Sequence, residues 1–348
     1  MSTLQIGLAI AGGLVLAGVV AHGAWTSRRS QPRQADPQAP RVEPGRGPIE
    51  PGFDPGFERS LDGQDPSMPL PSVEKRPLMD SLIDVIAPIA LDGPVSGDAV
   101  LAALPATRRV GSKPFAVEGL NEATQQWELP QIGQRYGVLQ AGIQLANRSG
   151  ALNEIEYSEF VVTAQAFADV VGGTPEFPEM LDEVARAREL DSFASAHDAQ
   201  LGFTLRARNA AWSPGYVHQC AARLGFVPAA IAGRMVLPAT MPGQPPLLGL
   251  AFDSQAALSE DMDQSALREL SLSLDVAQVD RAEQPFTRMR EVAESLAATM
   301  DGLLTDDNGH ALSCEALDQI GTELEKLYDT LDARDLSAGS ALARRLFS

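Results

Sequence analysis

Hydrophobic residues form one long run at the start of the chain, thin out over the next fifty residues, and become periodic from residue 82 onward. Residues 4–25 carry no charged side chain, and about 20 apolar residues are enough to cross the hydrocarbon core of a bilayer. The alternative is a cleavable signal peptide, which ordinarily begins with basic residues that Met1 to Gln5 lack. The pattern therefore predicts a transmembrane anchor within residues 1–27.

The residues that flank this anchor predict its orientation. Arg28, Arg29 and Arg33 follow the apolar run and no lysine or arginine precedes it, so the positive-inside rule places the N-terminus outside and the rest of the chain in the cytoplasm. A stripe of small residues four apart would also let the helix of a second copy pack closely as a homodimer, although an Ala- and Gly-rich span produces such a stripe by chance: Ala9, Gly13, Ala17 and Ala21.

Residues 28–80 have the composition of a disordered Pro/Gly-rich linker. Ten of the 25 prolines lie between Pro32 and Pro71, and no apolar period is sustained there. A flexible chain of this length has a typical end-to-end distance of roughly 40 Å. We therefore expect the folded part of the protein to search a volume beneath the membrane.

A first folded unit is predicted over residues 81–197. A β-rich run begins at Leu82, Ser96 is a helix N-cap, and alternation at every second residue marks a strand over 136–146. Amphipathic helices are predicted over 154–171 and about 178–196.

A second unit, over residues 198–348, shows the same order of elements. A strand over 201–208 precedes a helix that opens at Ser213-Pro214. The remaining elements are strands, then a helix, a short strand and a final helix after Ser313 with a clean apolar stripe: 235–238, 246–252, 270–276, 285–300, 303–306 and 314 onward.

Shifting the first unit by 129 positions superposes the apolar positions of its long helix on those of the helix at 285–300, and Gly173 on Gly302. This indicates a duplication, although any two amphipathic helices that end in glycine match in part. The alternation of strands and helices predicts an α+β fold: two similar units, each an antiparallel sheet with helices on one face.

The net charge and the absence of known catalytic or binding motifs disfavour several classes of function for such a fold. The net charge of −19 disfavours nucleic acid as a partner. The sequence contains no nucleotide-binding, hydrolase or metal-site motif, so we predict no enzyme, no cofactor and no metal. Cys220 and Cys314 are predicted to be reduced thiols, and Asp306 to Gly309 a hairpin turn rather than a calcium loop.

With no catalytic motif, function is expected to reside on a surface. A sheet covered by helices on one side leaves its other face open to an extended or amphipathic peptide. Alternation places Leu272 and Leu274 on the buried face and Ser271 and Ser273 on the open one.

The stretch His22-Gly23-Ala24-Trp25-Thr26-Ser27-Arg28-Arg29, the Pro-rich linker and the C-terminal α+β region together resemble ZipA, the bacterial family that anchors the division protein FtsZ to the membrane. The closest local matches are at 213–226, 248–253 and 270–302. The resemblance implies a non-enzymatic protein of the inner membrane at the division site, whose C-terminal region binds the C-terminal peptide of FtsZ on an open sheet face.

The resemblance also implies a set of peptide-binding positions. They are small or polar here, whereas in ZipA the peptide lies against apolar side chains: Gly249, Ala251, Asp253, Ser271 and Ser273. The first unit has no counterpart in single-domain members and would supply the peptide site or cover the other sheet. The alternative function is a membrane-tethered scaffold for another division or envelope protein, with a degraded FtsZ site; a membrane-anchored hydrolase is the least favoured reading.

Overall fold

The computed structural model describes residues 32–34, 79–241, 243–258, 265–306 and 308–348. They form an α+β structure built on two six-stranded antiparallel sheets. Within these ranges, no helix has both the length and the apolar character required to cross a bilayer. The predicted anchor at 1–27 lies outside the described residues, as does the predicted linker apart from residues 32–34 and 79–80.

The first sheet has the strand order β2-β3-β5-β1-β8, with β4 paired to β3. Buried and more exposed residues alternate along β1, and the buried set packs against the long helix that follows the sheet in sequence. A small hairpin, β6-β7, lies beside it. The strands are β1 Asp84–Ser96, β2 Arg109–Val110, β3 Lys113–Asn121, β4 Trp127–Glu128, β5 Arg135–Gln144, β6 Ala146–Asn147, β7 Gly150–Ala151 and β8 Gly173–Pro175.

Three helices accompany this sheet: α1 Gly97–Ala103, α2 Glu154–Val171 and α3 Met180–His197. Helix α2 begins at a capping box, in which Asn153 Oδ1 accepts from the amide of Glu156 at 3.0 Å and the Glu156 carboxylate accepts in return from the amide of Asn153. It ends at Gly172, whose left-handed backbone (φ +69°) is the usual helix terminator. The predicted bounds of 154–171 are confirmed.

The second sheet has the strand order β10-β11-β12-β13-β9-β14. Strand β13 shows strict alternation of exposed and buried residues, as a sheet covered on one side requires. The strands are β9 Gln200–Ala207, β10 Val227–Pro228, β11 Arg234–Leu237, β12 Leu248–Ala251, β13 Glu269–Asp275 and β14 Gly302–Thr305.

The helices of this half are α4 Pro214–Arg223, α5 Ser254–Ala257, α6 Pro285–Met300, α7 Cys314–Asp332 and α8 Ala341–Leu346. Both helices begin where predicted, and the hydroxyls of Ser213 and Ser313 cap them by accepting from backbone amides of the first turn. Helix α6 packs on β9, β13 and β14, and α7 lies against α6. Helices α5 and α8 were not predicted.

The two halves share their strand order where they can be aligned. In each, the first strand (β1 or β9) is flanked by a later central strand (β5 or β13) on one side and by the strand after the long helix (β8 or β14) on the other. Gly173 and Gly302 begin the equivalent edge strands. A duplication would produce this arrangement, and the duplication and the boundaries of two domains stay predictions.

The C-terminal residues connect the halves. The Arg345 guanidinium makes two hydrogen bonds to Asp84 of β1, at 2.9 and 2.5 Å, and Phe347 is buried. Arg148, after β6, pairs with Asp275 at the end of β13. The halves therefore meet through these paired charges.

Candidate functional site

The candidate site begins with the alternation of β13. Leu270, Leu272 and Leu274 are buried beneath the helices, whereas Ser271 and Ser273 are exposed on the opposite face. Because cross-strand partners in an antiparallel sheet point the same way, the register identifies the neighbours of these serines. The predicted division of β13 into a buried and an open face is seen in the structure.

Four of the five residues implied by the resemblance lie together on this open face. Gly249 of β12 is opposite Ser273 of β13, and Ala251 is opposite Ser271. Each serine hydroxyl also donates to the backbone carbonyl of its opposite residue, at 3.4 Å. These bonds turn the hydroxyls along the sheet, so the centre of the face is shallow and lined by small groups.

The fifth residue, Asp253, makes a local capping contact. It lies beyond the end of β12 and caps the short helix α5, where its carboxylate accepts from the amide of Gln255 at 2.8 Å. The family resemblance matched it to a binding strand, but the strand here ends at Ala251. Its side chain is therefore engaged in a local turn.

Apolar side chains flank the small centre, and sequence reasoning missed them. Val227 of β10 is 44% exposed and pairs with Val236 of β11, which pairs in turn with Gly249. On the other side, Leu303 of β14 is 37% exposed and stands opposite Arg206 of β9. Only the register reveals these neighbours, since they lie far apart in sequence.

Charges occur at the margins of the face rather than at its centre. Arg206 and Glu269 form a cross-strand ion pair at 3.7 Å, and Arg234 stands opposite Ala251. The centre of the face presents hydroxyls and backbone atoms, whereas its margins carry both positively and negatively charged side chains. Such a face suits an extended peptide whose apolar side chains reach the flanks and whose polar groups meet the serines.

On α4, His218 is half-buried and Cys220 is buried. Burial lowers the pKa of His218, whose ring packs edge-to-face on Phe252. Burial likewise raises the pKa of the Cys220 thiol, so it stays protonated and unreactive at neutral pH. Neither group provides a nucleophile or a metal ligand at the open face.

The open face of the first sheet is more apolar. Val138 of β5 is 36% exposed and lies between Ala90 of β1 and Leu120 of β3 in the register, and Leu120 is opposite Trp127 of β4. Pro88 occupies the next row and is also exposed. The family resemblance implies such a row of apolar side chains at the centre of the second sheet, where small and polar residues lie instead.

One end of this first face is already covered. Met79 is buried, its amide donates to Glu118 Oε1 at 2.8 Å, and a Cβ built on Gly142 would lie 2.7 Å from its sulfur atom. Gly142 therefore provides the space that the methionine fills. The chain enters the folded region across the open face of the first sheet.

Other residues singled out by the sequence have structural roles. The hairpin after β14 turns at Gly309 (φ +83°), whose amide donates to the carbonyl of Asp306 at 3.0 Å, as the turn prediction requires. Among the described residues, no three His, Cys, Asp or Glu side chains are grouped to hold a metal ion.

Comparison with known families places this face in a functional context. Residues 254–323 match the family described as ZipA, C-terminal FtsZ-binding domain. Over these residues the chain is ZipA-like. The match confirms the resemblance found in the sequence, and it supports an FtsZ-binding role in cell division. No curated protein matches the chain.

The ZipA-like stretch covers about a fifth of the chain and has a definite position in the fold. It begins at α5 and runs through β13, α6 and β14 into α7. Ser271 and Ser273 therefore lie inside the ZipA match, whereas Gly249, Ala251 and Asp253 come just before it. The first sheet lies outside the match altogether.

Proposed function

We propose that this protein is a non-enzymatic adaptor of bacterial cell division, which binds the C-terminal peptide of FtsZ and tethers FtsZ polymers to the inner membrane. The N-terminal apolar helix would be the anchor, with the N-terminus periplasmic and the folded region cytoplasmic. The observation that carries the proposal is the ZipA match over 254–323, which includes the central strand of an open sheet face.

The peptide is proposed to lie across the second sheet, over Gly249, Ala251, Ser271 and Ser273. The shallow centre allows the peptide backbone to approach closely, and its apolar side chains would rest on Val236 and Leu303 at the flanks. Asp253 follows the end of β12, where its carboxylate caps α5. Contact area rather than a deep pocket would determine the affinity.

The first sheet offers a second candidate surface for the same peptide. Val138, Leu120 and Ala90 form an apolar row that the second sheet lacks at its centre. Burial of apolar side chains is the main source of affinity in peptide docking of this kind. The two faces make different predictions and are distinguished by single substitutions.

The test is fluorescence anisotropy of a labelled FtsZ C-terminal peptide titrated with the full chain in detergent micelles. Ser273→Arg places a long charged side chain over the second face, and Val138→Arg does so over the first. If the second face is the site, Ser273→Arg weakens binding at least tenfold and Val138→Arg leaves it unchanged. The reverse result assigns the peptide to the first sheet.

A matched control is Ser158→Arg, the same substitution at an exposed position of α2, remote from both faces. It should bind as the unsubstituted chain does. The proposal is overturned if the unsubstituted chain shows no binding at high micromolar concentrations, or if deletion of the FtsZ tail leaves a pull-down of FtsZ unchanged.

The alternative function is a membrane-tethered scaffold for another division or envelope protein. The small and polar centre of the second face favours it, since an apolar peptide gains little there. In that case a fluorescent fusion would reach mid-cell while the purified chain fails to bind FtsZ.

A further inference from the structure

A short segment of the predicted linker is docked on the second half of the molecule. The Arg33 amide donates to the carbonyl of Ala211 at 2.7 Å, and the Ser213 amide donates to the carbonyl of Arg33 at 2.8 Å. These bonds form a parallel bridge between Arg33 and Trp212, which itself pairs antiparallel with Leu267. Residues 32–34 thus add a third short strand to a two-stranded ladder.

The Arg33 side chain reaches the C-terminal end of α6. Its guanidinium pairs with Asp301 at 3.4 Å, next to the last residue of the helix. The last turn of α6 has no basic residue of its own, although a helix C-terminus carries a partial negative charge that a cation stabilises. Arg33 supplies that cation from a segment about 270 residues away in sequence.

Hydrogen bonds to the C-terminal end of α6 hold the surface on which this segment docks. The Trp212 side chain is fully buried and its Nε1 donates to the carbonyl of Met300 at 2.8 Å. Tyr216 donates to the carbonyl of Thr299 at 3.1 Å, so two carbonyls of the α6 terminus are occupied. Asp301 also accepts from Asn209 at 2.9 Å, which orients its carboxylate beside Arg33.

We propose that residues 211–213 and Asp301 form a strand-addition site for the chain's own segment 32–34. The segment is recognised by two backbone hydrogen bonds and one charge, the chemistry of strand addition to an exposed edge. Through this contact the second sheet is held near the start of the linker rather than at its far end.

The contact limits how far the second half of the molecule can lie from the membrane, a consequence that rests on the proposed membrane anchor. Eight residue steps separate Trp25 from Arg33, and a fully extended chain spans at most about 3.6 Å per residue. The docked second sheet is therefore within about 29 Å of the membrane end of the helix. Without docking, the linker runs to Met79 and its maximum span is about 190 Å.

Hydrogen exchange of the full chain in detergent micelles tests the contact without reference to FtsZ or to a bilayer. Arg33→Pro removes the amide that donates to Ala211, and Asp301→Asn removes the charge while keeping a residue type that tolerates the left-handed backbone at 301 (φ +57°). We expect the Ser213 amide to exchange at least tenfold faster in Arg33→Pro and faster, though less so, in Asp301→Asn.

The amides of Trp212 and Leu267 donate to each other's carbonyls and are internal controls that should keep their exchange rates. Arg41→Pro, the same substitution elsewhere in the linker, is the matched control variant. The proposal is overturned if Ser213 exchanges equally fast in the unsubstituted chain and in Arg33→Pro. It is also overturned if Ser213 protection rises with protein concentration, because the segment would then come from a second copy.

The distance of the second half from the membrane is tested by resonance energy transfer from a donor on the protein to acceptor lipids in vesicles. Cys314 is exposed and Cys220 is buried, so a maleimide donor labels the start of α7 without any added cysteine. Arg33→Pro should lower the transfer efficiency while Arg41→Pro keeps it, and equal efficiencies would contradict the short reach. Failure of the chain to insert would count against the anchor alone, since the exchange experiment needs no bilayer.

Discussion

The hydroxyl of Tyr328 shows how a single buried group affects stability. Tyr328 lies on α7 over a cleft shared with α6, and its hydroxyl has no hydrogen-bond partner among the described residues. A buried polar group without a partner costs about 1–3 kcal/mol. Burial also raises the pKa of Tyr328 to about 12, above the value of about 10 for an exposed tyrosine.

Tyr328→Phe should therefore stabilise the protein by about 1 kcal/mol at pH 8. Between pH 10 and 12 the unfolded state loses the phenol proton before the folded state does, so stability falls as pH rises, by about 1.4 kcal/mol at pH 11. Tyr328→Phe has no phenol proton, so its stability does not fall in this way as pH rises. Urea unfolding followed by circular dichroism at pH 8 and 11 measures both effects.

Tyr216→Phe is the comparison, because the Tyr216 hydroxyl donates to the carbonyl of Thr299. It should lower stability at pH 8, so the two substitutions should have opposite signs. A loss of stability in Tyr328→Phe would show that its hydroxyl is satisfied.

Two glycines differ in how much room their surroundings leave for a side chain. A Cβ on Gly302 would lie 2.7 Å from Cδ1 of Leu205, a buried side chain, whereas a Cβ on Gly249 would meet the Ser273 hydroxyl, which can rotate. We expect Gly302→Ala to cost about 1–3 kcal/mol and Gly249→Ala to be nearly neutral. Thermal melts compare the two variants, and equal losses would contradict the argument.

At the scale of elements, local sequence predicted helices well because their signals are local. The bounds of α2, the serine caps of α4 and α7, and the turn at Gly309 all depend on residues within a few positions of each other. The docking of Arg33 was beyond such reasoning, because its partner Trp212 lies far away in sequence.

The capping box of α2 carries a prediction of its own. Asn153→Ala removes the oxygen that accepts from the amides of Ile155 and Glu156, each at 3.0 Å. The loss should be about 1 kcal/mol, with faster amide exchange in the first turn of α2. Asn153→Ser keeps an acceptor and should retain most of the stability, so an equal loss in both variants would argue against the cap.

At the scale of the whole molecule, one buried ion pair links the two halves. Asp84 is 2% exposed, and burial raises the pKa of its carboxyl while the Arg345 guanidinium opposes the shift. Arg345→Met leaves this carboxylate buried without its cation, which costs about 3–5 kcal/mol. The loss should appear as a lower urea midpoint.

The double variant Asp84→Asn/Arg345→Met removes both charges and should recover much of that stability, since the cost arises from the unpaired carboxylate. The comparison between single and double variants isolates the pair. If the double variant is no more stable than Arg345→Met, the effect comes from lost packing of the Arg345 side chain instead.

The sequence by itself determined the order of the longer strands and helices, the helix caps and the open face of β13, because periodicity and capping act between neighbouring residues. It also carried the ZipA resemblance. Tertiary structure alone decided that Val236 and Leu303 flank the serines, that Asp253 caps α5, and that Arg33 docks beside α6. Register and long-range pairing bring together residues separated by tens to hundreds of positions, and no local pattern encodes those distances.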